Sequence, residues 1–284
     1  MANRGADLGI VVGVNGSSSS AIAVQWAAHD ATLRDAPLTL AHAARTRSQR
    51  ERGQQVLDEA LRTVADPVRV RCEMPCATPV FALADLSKHA DLVVVGCPGS
   101  GAMPQCQSCS VSSTLIHHAH CPVVVIHDDV RLGPDSLAAP VLLGIDESAD
   151  AELAMEIAFF EASSRGVGLV AVPTCQASNG LDENMAAFAG WIDRYPEVTV
   201  QRLPALADPA PQLVDHAKKA QLVVLGGQGS GGFAATLFSP GSAGTVTMSQ
   251  VPIIVARTSG GPGRSRRPHS VSSTPPQGQS AHPG

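Results

Sequence analysis

Short apolar runs punctuate this chain at regular intervals. Residues 9–14 (GIVVGV), 91–96 (DLVVVG) and 121–126 (CPVVVI) are nearly continuous in Val, Ile and Leu, and so are 140–145 (PVLLGI), 221–226 (QLVVLG) and 251–256 (VPIIVA). Runs of four to six β-branched residues bounded by Gly or Pro predict strands buried on both faces. Between them the period becomes helical. Ala21, Ile22, Val24, Trp26, Ala27 and Leu33 form one apolar face behind the serines 17–20, which suit an N-cap, and Leu153, Met155, Ile157, Phe159 and Phe160 repeat that face. Further helices are predicted over 51–64, 78–89 and 110–118.

The runs also match one another. Gly13 and Gly144 are 131 residues apart, Gly96 and Gly226 are 130, and so are Pro122 and Pro252. A near-constant offset across a whole domain's length is the signature of an internal duplication. Each half reads as five strands alternating with four helices, which predicts an α/β fold: two tandem domains, each a five-stranded parallel sheet with helices on both faces, Rossmann-like in winding. The expected division is 1–130 for the first domain, 131–139 for a linker, 140–258 for the second domain and 259–284 for a tail. The linker rests on the charges, Gly and Pro of 127–139, and the tail on a Gly/Pro/Ser composition that cannot build a core. On such sheets ligands bind beyond the carboxyl ends of the strands, where the strand order reverses. That directs attention to the residues after Val14, Val95, Ile145 and Leu225.

Composition agrees and narrows the function. The 284 residues are 44% hydrophobic, 16% charged and only 3% aromatic, so the cores must be aliphatic. A net charge of −5 gives no reason to expect nucleic acid or an anionic membrane as partner, and Arg264, Arg266 and Arg267 make a weak phosphate footprint. No apolar stretch reaches the length of a membrane span and no secretory leader is legible, so a cytoplasmic protein is expected, with its seven cysteines as reduced thiols.

The chemistry lies in the glycine-rich turns. Gly96-Cys97-Pro98-Gly99-Ser100-Gly101 follows the fourth strand, and Gly226-Gly227-Gln228-Gly229-Ser230-Gly231-Gly232 takes the equivalent place in the second half. Glycines there let backbone N–H groups approach a phosphate, with a helix N-terminus behind. Residues 11–20 (VVGVNGSSSS), the Gly-x-x-Gly turn, a spacer of nine residues before Cys109-Ser110, and a closing strand that opens Cys121-Pro122-Val123 together resemble the universal stress protein family over about residues 8–257. Its fold is also described as adenine nucleotide alpha hydrolase-like.

The resemblance implies adenine-nucleotide (ATP) binding in a stress-response or signalling protein, with no metal beyond any Mg accompanying ATP. It implicates Gly13, Val14, Asn15, Gly96, Gly99, Cys109, Ser110 and Val111 in the first half. In the second it implicates Ile145, Asp146, Gly226, Gly229, Ser239 and Pro240, or Gly241 and Ser242 if the loop is longer. It further implies pairing through the last strands, so that residues 123–126 and 253–255 would make an intramolecular pseudo-dimer; a homodimer is the other arrangement open to the chain. Both halves depart from the motif. Asn15 replaces the family's Asp, keeping an acceptor and adding a donor, and Cys109 replaces a glycine; Pro240 removes a donor from the second cradle. Because the second half keeps its acid, Asp146, it is the preferred site if only one half binds.

Other chemistries are less well supported. Cys97, Cys106 and Cys109 with His117, His118, His120 and Cys121 contain a C-x2-C pair, but the second half has no counterpart, so a structural role is favoured over zinc. Cys72 and Cys76 read as a strand-end coincidence. No Walker lysine or acid–base pair accompanies the glycine turns, so no catalytic residues are expected and the protein is read as a non-enzyme. The alternative function is a degenerate, nucleotide-free interaction module of the same fold.

Overall fold

The computed structural model describes residues 7–98, 107–146, 148–173, 179–206, 209–227 and 250–257. The first half runs β1 (Ile10–Gly13), α1 (Ser18–Leu33), β2 (Leu38–Ala41), α2 (Arg47–Thr63), β3 (Val70–Glu73), α3 (Pro79–Leu86), β4 (Leu92–Cys97), α4 (Gln107–His118) and β5 (Val123–His127). A single-turn helix, α5 (Pro134–Leu137), lies in the connection, where Pro134 takes the first helical position after Gly133. The second half follows with β6 (Val141–Ile145), α6 (Ala151–Arg165), β7 (Leu169–Pro173), α7 (Asn179–Arg194), β8 (Val200–Arg202), α8 (Ala210–Ala217), β9 (Leu222–Gly226) and β10 (Ile253–Ala256). The fourth helix expected there falls outside the described residues.

Local chemistry accounts for the helix ends. The Ser17 hydroxyl accepts from the Ser20 amide to cap α1, and Thr46 with Gln49 forms a reciprocal capping box on α2. α6 stops at Gly166, which adopts the left-handed conformation (φ 63°) that costs glycine nothing.

All ten strands form one sheet in the order β3-β2-β1-β4-β5-β10-β9-β6-β7-β8. Every neighbouring pair is parallel except β5–β10, which is antiparallel. Each half therefore has the order 3-2-1-4-5, with its reversal between first and fourth strands, and the halves join edge to edge as the sequence predicted. At the joint Val124 pairs with Ile254, its own repeat equivalent, so an approximate two-fold axis passes between them. Successive residues of β1 divide between two cores: Ile10 and Val12 face α1, while Val11 faces the opposite layer with Leu83 and Leu115. Ile10, Val11 and Val12 are all fully buried, which explains why the run is apolar without alternation.

α1 and α6 meet across the axis through four charged side chains. Asp30 bonds Arg34 at 2.7 Å and Arg165 at 2.7 Å, and Glu161 bonds both Arg34 and Arg165. Asp30 and Glu161 are wholly buried. The arginines also exchange aromatic partners, Arg34 lying 4.7 Å over Phe160 and Arg165 5.8 Å over Trp26. Burial pushes the Asp30 carboxyl up, but Arg34 and Arg165 outweigh it and hold the group below the usual carboxylate range. In Glu161 burial prevails over the pull of Arg165 and Arg34, so its pKa is raised. Removing one member of this closed ring would leave an uncompensated buried charge.

Candidate functional site

Where β1 and β4 part, their carboxyl ends open a cavity of about 270 Å³. Gly13 of β1 and the following Val14 and Asn15 line it, with Val95 and Gly96 of β4, Ala41 of β2 and the following His42 and Ala43, and Val111 of α4; Pro75 and, from α3, Pro79, Ala82 and Leu83 close one side. It occupies the strand-order reversal, the position that the parallel winding assigns to a ligand.

Glycines let the elements around it pack closely. A Cβ on Gly96 would sit 2.6 Å from the backbone of Ser19 and Ser20, which cannot retreat without moving α1. One on Gly13 would come within 2.9 Å of Leu83. The loop after β1 is fixed by two side chains. Asn15 Oδ1 accepts from the Ser17 amide at 3.0 Å and from the Ser17 hydroxyl at 2.7 Å. His42 Nδ1 lies 2.8 Å from the Val14 carbonyl, and since a carbonyl only accepts, that nitrogen carries the proton. Room for the His42 ring comes from Gly53 on α2, where a Cβ would lie 2.4 Å from the ring.

Of the first-half candidates, Gly13, Val14, Asn15, Gly96 and Val111 are brought together around this cavity. Cys109 and Ser110 lie in the first turns of α4, while Gly99 is outside the described residues. His127 backs the start of the glycine turn, its Nδ1 3.3 Å from the Pro98 carbonyl, with burial pushing its pKa down. Asn15 keeps its acceptor and spends it within the loop: both donors of Ser17 occupy that oxygen. The sequence reading overlooked His42, Pro75 and the α3 wall. The same carboxyl-end rule, applied to β2 as it was to β1 and β4, would have reached Ala41 to Ala43.

The second half repeats the frame with a different filling. Asp146 is buried and accepts from the Ser148 amide at 3.0 Å, as Asn15 does from Ser17. α6 begins at Ala151, two residues later in the repeat than α1, so Ser148 tips inward instead of capping. Its hydroxyl is buried without a hydrogen-bond partner among the described residues and lies 2.0 Å from where a Cβ on Gly226 would be. Ile145 is fully buried in β6. Gly229, Ser239, Pro240, Gly241 and Ser242 lie outside the described residues.

Among the described residues no group of three or more His, Cys, Asp or Glu side chains is arranged to hold a metal. Cys97 and Cys121 are buried in or beside strands, and Cys72 and Cys76 are exposed and unbridged. No described helix is long and apolar enough to cross a membrane.

Comparison with known proteins places this geometry in a family. The profile of the universal stress protein family matches residues 9–74 and 47–127, both within the first half. A universal stress protein of Mycobacterium tuberculosis (strain ATCC 25618 / H37Rv) is 40% identical over 295 residues, spanning 91% of this chain and 99% of the relative. One from Mycolicibacterium smegmatis is 37% identical over 293 residues, spanning 90% and 99%. Among solved structures, a universal stress protein from Archaeoglobus fulgidus DSM 4304 shares the fold with a TM-score of 0.67 at 16% identity, covering 89% of this chain and 97% of that one. With relatives this similar matched almost end to end, the chain belongs to the universal stress protein family.

Proposed function

We propose that this protein binds an adenine nucleotide, ATP in the first instance, in the first-half cavity, and that occupancy serves stress response or signalling in the cytoplasm without efficient catalysis. One observation carries the reading. Gly13, Val14, Asn15, Gly96 and Val111, drawn from three separate elements, converge on one cavity at the strand-order reversal. Its floor is glycine backbone, and the first turn of α4 supplies amides suited to a phosphate. The Ala, Pro and Leu wall of β2 and α3 suits the flat apolar faces of a base. At about 270 Å³ the space is near the lower end of small-ligand sites, so the phosphates would extend toward the glycine turn. Phosphoryl transfer needs cations or carboxylate-held metal around the phosphates, and residues 96–101 and 226–232 contain neither Lys, Arg, Asp nor Glu. Any Mg would arrive with ATP. In this reading the domains divide at 131–139, and the intramolecular joint takes the place of a homodimer.

For the second half a different reading has its own support. Asp146, the acid that made the second half the preferred site in the sequence, is buried and bonded by the Ser148 amide, whereas Asn15 is exposed at the cavity. This favours a copy kept as structural partner or interaction module over a second nucleotide site. Titration calorimetry of the purified chain with ATP and AMP tests the proposal. Saturable binding of one equivalent is the expected result, and no heat of binding with either nucleotide at millimolar concentration would overturn it.

A further inference from the structure

The loop after β1 differs between the halves in the sense of the hydrogen bonds that it offers. In the first half, Asn15 Oδ1 takes two donors, the amide and the hydroxyl of Ser17. The assignment of oxygen and nitrogen in this amide follows from the partner, because a backbone N–H must meet an acceptor. The neighbouring carbonyl, Val14 O, is engaged by His42. What Asn15 has left is its Nδ2 amide, a pure donor, on an exposed side chain that lines the cavity. In the second half the equivalent residue is a carboxylate, Asp146, which can only accept when ionised.

With the base against the wall of β2 and α3 and the phosphates toward the glycine turn, the ribose falls between them, where Asn15 lines the cavity. A ribose hydroxyl can satisfy either group, since it both donates and accepts. A phosphoryl oxygen cannot. It meets a donor favourably at Asn15, whereas a carboxylate in that place would repel it and leave neither side with a proton to share. The replacement of acid by amide thus removes the one feature of the loop that would exclude an anion from the sugar.

On this basis, and resting on the reading of the cavity as an adenine-nucleotide site, we infer that Asn15 is a specificity-determining residue that admits adenine nucleotides bearing a second phosphoryl group on the ribose. The ligand class is a ribose-phosphorylated adenine nucleotide, of which adenosine 3′,5′-bisphosphate is the simplest probe. Ser17 and His42 act as positioning residues. They fix which face of the amide meets the ligand, so the selectivity is set before binding and costs no rearrangement on it.

The test compares the wild-type chain with Asn15→Asp, titrating each with AMP and with adenosine 3′,5′-bisphosphate. Aspartate can accept from Ser17 as Asp146 accepts from Ser148, so the variant keeps its loop, and a thermal melt within a few degrees of wild type checks that it does. The quantity read is the ratio of the two affinities. It should shift toward AMP by tenfold or more in the variant, equivalent to about 1.4 kcal/mol. Asp146 is common to both proteins and cannot produce that shift. AMP binding with an unchanged ratio overturns this inference alone. Failure of both proteins to bind either nucleotide overturns it together with the nucleotide site itself.

Discussion

The two halves place the same strands around the same reversal and then fill the space beyond them differently. In the first half α1 begins at Ser18, its serine cap is occupied with the helix, and the backbone of Ser19 and Ser20 fills the ground above Gly96, with the cavity opening beside it. In the second, α6 begins at Ala151 and the unused Ser148 hydroxyl occupies the corresponding ground above Gly226. A shift of two residues in a helix start thus decides whether the glycine makes room for helix backbone or for a serine side chain. The fold constrains where a ligand would sit, and these short loops decide whether it can.

The largest effects should come from the charged ring that joins the halves, where repeat-equivalent positions behave in opposite ways. Asp30 is held ionised by Arg34 and Arg165, while burial raises Glu161. Asp30→Asn should therefore lower unfolding stability by about 3 kcal/mol, and Glu161→Gln by about 1 kcal/mol, in denaturant melts. Equal costs would mean that the ring treats the two carboxyls alike.

Next come the glycines. Gly96→Ala drives a methyl into the backbone of α1 and should cost about 2–3 kcal/mol, with loss of nucleotide binding; Gly226→Ala meets a rotatable serine and should cost about 1 kcal/mol or less. Thermal unfolding and titration of both variants measure this, and a reversal of the order would show that the second copy holds the tighter site.

Smaller still is the serine pair. Ser17→Ala removes a helix cap and should cost about 1 kcal/mol. Ser148→Ala removes a buried hydroxyl without a partner among the described residues, so it should be neutral or slightly stabilising. Urea midpoints of the two variants make the comparison.

The pH dependence gives the finest test. A raised folded pKa means that protonation of Glu161 favours the native state, a contribution fully present below its unfolded value of about 4.3 and lost as pH rises through the folded one. Asp30 runs the other way, contributing above about 3.9 and losing that contribution as pH falls through its depressed native value. Stability measured across mildly acid pH should carry a component that falls with rising pH in wild type and is absent from Glu161→Gln.

The strands were legible because double burial writes them as apolar runs, and the pairing of 123–126 with 253–255 across the joint was expected only from the family resemblance. The charged ring was not. Asp30 with Arg34 and Glu161 with Arg165 look like ordinary i,i+4 surface pairs, and only their 131-residue spacing hints that they meet across an axis. Gly133-Pro134 read as loop, yet the proline opens a helical turn, since position rather than residue type decides its effect. The glycines and Asn15 announced the site, but Ala41, Ala43 and Pro75 are chemically silent and join it only through the topology. That Asn15 has spent its acceptor on Ser17 is a matter of geometry, which no residue pattern specifies.

Photolabelling tests the central claim most directly. The full chain would be irradiated with 8-azido-ATP, digested, and the modified peptides mapped by mass spectrometry, with excess ATP as competitor. The account predicts competitor-sensitive label in the first half, on the peptides holding Ala41 to Ala43 and Pro75 to Leu83. Label confined to the second half, or insensitive to ATP, would contradict it.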